Sequence, residues 1–306
     1  MHLRTEPGNS ASGGWIWTIA KLACFAAAIW QSTAAAQTAE MAAPLRVGIL
    51  PTNSAPVILR MYQPMRSFLE GELKREVLIE TGTSYRAFYD DTRHGVFDLV
   101  ITAPHLARLH QIDTGLRPLA MNASRTRTVV VVRNDSNVHD ARRLRGQVVA
   151  LHDAASISVI QGVAWLQKAG LQAGRDYYTT QFPTQTSTLL AVVEGRAAAA
   201  FLNSTGLAQL SEPARGKLRV LKGIDTLPGL MYLAGPQVAQ ADQHALARAL
   251  LKFPGSEPLW SQFAAASGYG GITAVRLTQL RKMDAFLPAT RQALTAGDDR
   301  PPPGTL

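Results

Sequence analysis

The sequence has almost no cysteine. Among its 306 residues only Cys24 is of this type, and it lies in an N-terminal segment that we predict below to be removed. Without that segment the chain has no cysteine, which excludes disulfide bonds and thiol catalysis. Charged residues are also scarce, at 17% of the chain, whereas hydrophobic residues make up 46%. This balance excludes an intrinsically disordered protein and predicts a globular one.

Motifs for metal binding and catalysis are missing as well. His105 and His110 are five residues apart, so they fall on different faces of a helix, and no further ligand accompanies His152-Asp153. Ser156 follows His152 across a turn, but no Gly-x-Ser-x-Gly elbow surrounds it. The polar turns contain no paired carboxylates for acid–base chemistry. We therefore expect no catalytic residue, no metal site and no cofactor. An enzyme is the main alternative from a different functional class.

Positive charge exceeds negative charge, with a formal net charge of +9. The densest basic cluster, Arg142-Arg143 with Arg145, has no aromatic residues interleaved with it. We therefore expect no nucleic-acid partner. A positive charge spread over the surface aids solubility and attracts small anions weakly.

The N-terminus has the pattern of a secretion signal. An apolar stretch at residues 15–30 is followed by small residues up to Ala36. This order predicts a signal peptide over residues 1–36 that is cleaved near its end, which places a soluble mature protein outside the cytoplasm. An uncleaved membrane anchor is one alternative. Lipidation of Cys24 is another, although Lys21 stands where a lipoprotein signal usually has an apolar residue.

From Leu45 onward, strand-like and helix-like segments alternate. Short apolar runs such as Arg46–Leu50 and Val148–Leu151 are each followed by a polar turn and then by apolar residues at helical spacing. The alternation predicts an α/β fold with mostly parallel sheets flanked by helices. In sheets of this kind, ligands bind beyond the carboxyl ends of the strands.

Three further segments carry specific expectations. The helix after Ser54 contains Pro64, which predicts a kink or a division there. Apolar residues at helical spacing over Leu277–Ala296 predict a single helix near the C-terminus. Residues 298–306 include three consecutive prolines and are expected to form a flexible tail.

The turn Asp153–Ser158 is the strongest candidate for a binding site. It joins a predicted strand to a predicted helix, so free backbone N–H groups and the positive end of the helix dipole meet there. Ser156 and Ser158 add hydroxyl donors, and such a place suits an oxyanion. The alternative is that Ser156 only caps the helix.

Polar turns after other predicted strands supply further candidates. Asn53 and Ser54 follow the first strand, Tyr85 follows the second, and His105 follows the third. Each of these side chains could contact a ligand at the strand ends. Helix capping or ordinary packing is the alternative for all four.

Four segments together resemble the extracytoplasmic solute-binding proteins of phosphate, phosphite and phosphonate ABC transporters, which have the type II periplasmic fold. In chain order they are Leu45–Pro51, Phe97–Val100 with Ala103–His105, Asp153–Ser158, and Glu194–Arg196 with Asn203-Ser204. The third segment is similar to the family's Asp-Pro-x-Ser-Thr-Ser turn. The likeness lies in the order and spacing of all four.

The resemblance implies a two-lobed fold in which each lobe is a mostly parallel sheet flanked by helices, joined by two crossover strands. Lobe 1 would comprise residues 45–125 and 228–297, and lobe 2 would comprise residues 126–227. The protein would capture a small oxyanion of phosphate, phosphite or phosphonate type between the lobes. It would act as a monomer and deliver this anion to the permease of an ABC importer.

Three positions depart from the family pattern and refine the expected site. Ile157 replaces a threonine, so only its backbone N–H can bind the anion, and Gln185 stands where many members have a histidine. Asn203 stands where phosphonate binders often have an aspartate that can hold a ligand ammonium group. An oxyanion without a cationic tail therefore fits better. A sulfonate or another organic acid is an alternative ligand, and a sensory protein for a membrane receptor or histidine kinase is an alternative role.

Overall fold

The structure is a computed structural model that describes residues 1–2 and 43–296. The predicted tail, and the predicted signal peptide apart from its first two residues, lie outside the described residues. Among the described residues, no helix is both long enough and apolar enough to cross a membrane.

The described part of the chain folds into eleven strands in two sheets, with helices between them. The strands are β1 Leu45–Ile49, β2 Val77–Thr81, β3 Leu99–Thr102, β4 Arg117–Asn122, β5 Thr126–Arg133, β6 Val148–Leu151, β7 Tyr178–Gln181, β8 Ala199–Asn203, β9 Leu218–Leu227, β10 Met231–Ala234 and β11 Ile272–Ala274. The α-helices are α1 Ala55–Leu73, α2 Tyr85–Arg93, α3 Pro104–Thr114, α4 Ile157–Lys168, α5 Gln185–Val193, α6 Ser204–Ala208, α7 Glu212–Arg215, α8 Gln240–Lys252, α9 Leu259–Ser267, α10 Leu277–Arg281 and α11 Leu287–Thr295.

The first sheet has the strand order β11-β4-β10-β3-β1-β2, and the second has the order β7-β6-β8-β5-β9. In the first sheet β1 pairs in parallel with β2 and β3, while β10 is antiparallel to both of its neighbours. In the second sheet β6 pairs in parallel with β7 and β8, while β5 is antiparallel to β8 and β9. Four of the six strands in one sheet and four of the five in the other share a direction. The predicted α/β fold with two mostly parallel sheets is confirmed.

Two short connections link the sheets. Residues 123–125 lead from β4 in the first sheet to β5 in the second, and residues 228–230 lead back from β9 to β10. The two connections lie side by side, because β5 and β9 pair along their whole length from Thr126↔Leu227 to Arg133↔Leu218.

The centre of the second sheet is buried on both faces. In β5, Val130 and Val132 contribute to one apolar cluster, whereas Val129 and Val131 contribute to another. Successive side chains of a strand point to opposite faces, so this division shows that helices cover the second sheet on both sides.

The structure differs from two helix predictions. α1 runs without interruption through Pro64, so the predicted division does not occur. The missing N–H of Pro64 would have bonded to the carbonyl of Arg60, a residue on the exposed side of the helix where water can replace it.

The predicted single helix over Leu277–Ala296 is wrong. The chain forms α10, then a 3-10 helix at Lys282–Phe286, and then α11. Pro288 lies at the start of α11, where its ring would clash with the carbonyl of Asp284 in a continuous α-helix. Arg108 also holds the Asp284 carboxylate, with 2.6 Å between Nε and Oδ1. Tertiary packing and the proline together divide the segment.

A close approach between α4 and β8 positions the start of α4. Gly162 lies over the Phe201 ring, and a Cβ atom at Gly162 would overlap ring atoms of that side chain. Phe201 is fully buried and cannot move aside without disturbing its cluster.

We expect Gly162→Ala to lower the free energy of unfolding by roughly 1–3 kcal/mol, because it overpacks this contact. Chemical denaturation would measure the change. Gly71→Ala is the matched control in α1, where a new Cβ meets no atom within 4 Å, and it should stabilise the protein by about 0.5–1 kcal/mol. Equal effects of the two substitutions would contradict the packing argument.

Candidate functional site

A cavity lies between the two sheets, next to the connections that link them. The centres of water-sized spheres can occupy about 70 Å³ of it. One water molecule needs about 10–15 Å³ on this measure, so the space holds roughly five waters or one small oxyanion. We call it the inner cavity, and its polar lining residues are Thr52, Tyr85, Asn122, Ser124, Arg125, Thr126, Thr128, Ser156, Gln185, Asn203, Thr205, Gln209 and Tyr269.

The charge of this lining is positive. Arg125 is the one residue with a formally charged side chain among the lining residues, which include no aspartate, glutamate, lysine or histidine. Its guanidinium group donates to the carbonyl of Thr226 at 3.2 Å, which keeps it beside the exposed edge of the cavity. An anion would therefore meet one cation and no like charge on entry.

The turn Asp153–Ser158 borders the inner cavity through Ser156 and Ile157. Ser156 is at the N-cap position of α4, but its side chain makes no capping hydrogen bond. Its Oγ lies 2.9 Å from the Oγ of Ser158 instead. The alternative that the Ser156 side chain caps the helix is therefore wrong. The N–H groups of the first turn, which have no intrahelical acceptor, are left without a side-chain cap.

Asp153 holds this turn in shape. Its Oδ1 accepts from the backbone N–H of Ala155 at 2.8 Å, and its carbonyl accepts from the N–H of Ser156 at 3.0 Å. Its Oδ2 accepts from the N–H of Tyr85 at 3.3 Å. Because Tyr85 begins α2 beside the first sheet, this last bond ties the turn to the opposite wall of the cavity.

Tyr85 is a hydroxyl donor at the edge of the same turn. Burial raises its pKa well above the usual value, the negative charge of Asp153 raises it further, and a hydrogen bond with Ser156 offsets part of the shift. The phenol is therefore protonated at neutral pH. The Tyr85 hydroxyl also lies 3.5 Å from Nε2 of His152, whose pKa burial lowers to about 4.

Gln185 and Asn203 line the cavity from the side of the second sheet. The Oδ1 of Asn203 accepts from the N–H of Gly206 at 2.7 Å and so caps α6, which leaves its NH₂ group for other contacts. The Oε1 of Gln185 is buried and has no hydrogen-bond partner among the described residues.

The structure brings together five of the nine residues predicted for the site, and these five line the inner cavity: Tyr85, Ser156, Ile157, Gln185 and Asn203. Asn53 and Ser54 line a separate outer groove of about 670 Å³ on the other side of Tyr85. The Nδ2 of Asn53 donates to Oε1 of Gln209 at 3.3 Å.

His105, which lies beside the binding turn, and Ser158, its last residue, are outside the lining of the inner cavity. Nε2 of His105 lies 2.8 Å from the carbonyl oxygen of Ala155. Burial lowers the pKa of His105 to about 4, although the hydrogen bond to Ala155 acts in the opposite direction. The imidazole is thus neutral and donates to this carbonyl, which supports the turn from the first sheet.

The sequence did not predict that residues 123–125 and the adjacent ends of β4 and β5 form one wall of the inner cavity. Asn122, Ser124, Arg125, Thr126 and Thr128 all line the inner cavity. The available signal was a run of polar residues between the apolar strands β4 and β5. Its position at a connection between sheets, which gives it access to the cavity, depends on strand pairing that sequence periodicity does not report.

In the described range 43–296, no three His, Cys, Asp or Glu side chains come together as a metal site would require.

Comparison with known proteins shows which family this chain belongs to. A family model described as the periplasmic substrate-binding protein of a phosphonate ABC transporter matches residues 47–280. A binding-protein component of an ABC phosphonate transporter from Pseudomonas aeruginosa is 16% identical, with a TM-score of 0.72, over 83% of this chain and 93% of its own. PhnD1 from Prochlorococcus marinus, in complex with methylphosphonate, is 16% identical, with a TM-score of 0.70, over 81% and 97%.

The periplasmic aliphatic sulphonate binding protein SsuA from Escherichia coli is 18% identical, with a TM-score of 0.58, over 82% of this chain and 96% of its own. At these identities the solved structures show that the type II periplasmic fold is shared. The family model covers most of the chain from the first strand to α10. The chain belongs to the family of periplasmic substrate-binding proteins of phosphonate ABC transporters.

Proposed function

We propose that the inner cavity captures a small oxyanion of the phosphate, phosphite or phosphonate type, which the protein then delivers to the permease of its ABC importer. The observation that carries this proposal is the start of α4. There an uncapped helix N-terminus, the Ser156 hydroxyl and the Tyr85 hydroxyl border one small cavity. Helix N-termini of this kind bind anions through backbone N–H groups and the helix dipole.

The lining also argues for a ligand without a cationic group. Arg125 supplies a positive charge, and no lining residue supplies a carboxylate that could pair with an ammonium group. Asn203 offers an amide at the family's usual carboxylate position. A simple oxyanion meets no unfavourable charge in this cavity.

Binding without chemical conversion follows from the same lining. Among the lining residues, neither a histidine nor a carboxylate is present to act as a general base. The hydroxyl groups and amides can hold an anion but cannot activate a nucleophile. The protein acts as a monomeric carrier and not as an enzyme.

Delivery depends on two lobes that close over the anion, residues 45–125 with 228–297 and residues 126–227. Two separate sheets, linked through residues 123–125 and 228–230, support this division. An anion bound to the turn would favour the closed state, which a permease can recognise. The chain reaches the periplasm through a signal over residues 1–36 that is cleaved near Ala36, and the family's location supports this step.

Calorimetry on the ligand-free mature protein tests the proposed function. We expect phosphate, phosphite or methylphosphonate to bind with micromolar or better affinity, about −8 kcal/mol or more favourable. Sulfate and methanesulfonate serve as comparison ligands. Absence of binding heat with every one of these anions, at several temperatures, would overturn the proposal.

Ser156→Ala should weaken binding of the best of these anions by roughly 1–3 kcal/mol, about 5- to 150-fold, because a charged ligand loses a hydrogen bond. Ser211→Ala is the matched control. Ser211 is also an N-cap serine without a capping side-chain bond, and it does not line the cavity. If both variants bind like the parent protein, Ser156 does not contact the ligand.

Asn203→Asp should weaken anion binding by about tenfold or more, because it places a negative charge in the cavity wall. Aspartate is also a good N-cap residue, so the variant should keep the capping bond to Gly206 and unfold at nearly the same temperature. Thermal unfolding and calorimetry together measure the two effects. Tighter binding of a simple anion would show that Asn203 does not face it.

A further inference from the structure

Among the described residues, two buried amide side chains in the wall of the inner cavity have an atom without a hydrogen-bond partner. They are Asn122, which is 1% exposed, and Gln185, which is 4% exposed. The unpartnered atoms are Nδ2 of Asn122, a donor, and Oε1 of Gln185, an acceptor. Buried polar groups without partners are rare and destabilise a protein. Because both side chains line the cavity, a ligand can supply both missing partners.

The orientation of Asn122 is set by its neighbours. The hydroxyl of Tyr232 donates to Oδ1 of Asn122 at 2.8 Å, and burial raises the pKa of Tyr232 so that it stays protonated. A Cβ atom at Gly229 would contact the Cβ of Asn122 closely, so the second connection packs against this side chain. The Tyr232 hydroxyl therefore fixes which end of the amide is the oxygen, and the NH₂ group is the part that can donate to a ligand.

Gln185 is oriented by a contact with Gly206. A Cβ atom at Gly206 would overlap Oε1 of Gln185, so this oxygen lies against the Cα hydrogens of the glycine. An oxygen is favoured there by weak Cα–H···O attraction, whereas an NH₂ group would direct its hydrogens at other hydrogens. A carbonyl oxygen has two lone pairs, so Oε1 retains the capacity to accept a hydrogen bond.

Thr128 presents a second acceptor. Its hydroxyl donates to Oε1 of Gln161 at 2.5 Å, and both residues are buried. A hydroxyl group has one proton. Thr128 therefore has no proton left for a ligand and offers only lone pairs to the cavity that it lines.

The cavity thus combines a hydrogen-bond donor, Asn122, with two acceptors, Gln185 and Thr128. A ligand that pairs with these acceptors must itself carry a donor. We propose that the cavity selects the singly protonated form of a phosphonate-type oxyanion, whose P–OH group donates to Gln185 while its anionic oxygens accept from Asn122 and the turn at Ser156. The inference rests on the proposed function of the cavity. A sulfonate has no O–H group at neutral pH and would leave the Gln185 acceptor unpaired, which is an effective means of discrimination.

The protein's own groups that face the cavity keep their charge between about pH 6 and about pH 9. Burial raises the pKa of Tyr269 to about 12 and that of Tyr85 beyond this range. Behind the turn, burial lowers the pKa of His105 and of His152 to about 4, so both are neutral. The carboxylate nearest to the turn, that of Asp153, is held by two backbone N–H groups. A pH dependence in this interval therefore reports the ligand.

Calorimetry with methylphosphonate and methanesulfonate across this interval tests the inference. Above its second pKa, methylphosphonate loses the proton that Gln185 accepts, so its apparent Kd should rise by about tenfold per pH unit. Methanesulfonate has the same shape but no second proton, so its Kd should not change with pH. At pH 6 it should bind at least about tenfold more weakly than methylphosphonate.

Two near-isosteric variants separate the acceptor from the donor. Gln185→Met removes the acceptor and should reduce the preference for methylphosphonate over methanesulfonate at pH 6 about tenfold or more. Asn122→Asp keeps the oxygen that Tyr232 needs but replaces the donor by a negative charge, so both anions should bind at least about tenfold more weakly. Gln167→Met, on the exposed side of α4, is the control and should change neither affinity. Circular dichroism melting curves would verify that all variants fold.

The outcomes distinguish this inference from the function on which it rests. If oxyanions bind but methylphosphonate affinity is constant or increases as the dianion forms, the selection of a protonated ligand is refuted and the oxyanion function stands. Equal affinity for methanesulfonate at pH 6 would refute it in the same way. If no oxyanion binds at any pH, the proposed function fails, and the inference fails with it.

Discussion

The carboxylate of Asp153 is the constraint on which the binding turn depends. One oxygen accepts from the N–H of Ala155 within the turn, and the other accepts from the N–H of Tyr85 at the start of α2. The first bond shapes the turn, and the second connects it to the opposite wall. His105 adds a third contact through the Ala155 carbonyl. Contacts from both sides of the cavity fix the turn Asp153–Ser158. The start of α4 can therefore bind an anion in an enclosed space.

The helices around the cavity begin in different ways, and the difference has a consequence for binding. The side chains of Ser84, Thr184 and Asn203 cap α2, α5 and α6, so those helix ends have backbone donors already in use. The side chain of Ser156 leaves α4 uncapped and bonds to Ser158. Like α3, whose N-cap residue Ala103 also lines the cavity and has no capping side chain, α4 therefore offers an N-terminus that no side chain occupies. A ligand that binds there gains contacts without competing with an existing cap.

Local patterns predicted most of the elements that position the site, because buried strands and amphipathic helices have distinct periodicities. They failed where packing overrides the pattern. The segment around Pro288 shows helical spacing, yet it divides at the proline while Arg108 holds Asp284. Pro64 has the opposite outcome, since α1 continues through it on an exposed face. The same limit applies to the candidate site residues. His105 follows a strand as expected, but its ring supports the turn and lies outside the cavity lining.

The sequence by itself determined the α/β fold, the family and the turn at Ser156, because strand–turn–helix order is written in residues that are near one another in the chain. Tertiary structure alone decided which side chains share the cavity. Asn122, Thr128 and Gln185 come from distant segments of the chain. Their contacts with Tyr232, Gln161 and Gly206 determine which of their polar atoms can bind a ligand. Whether a polar atom is left without a partner is a property of the packed neighbourhood, so no local pattern can report it.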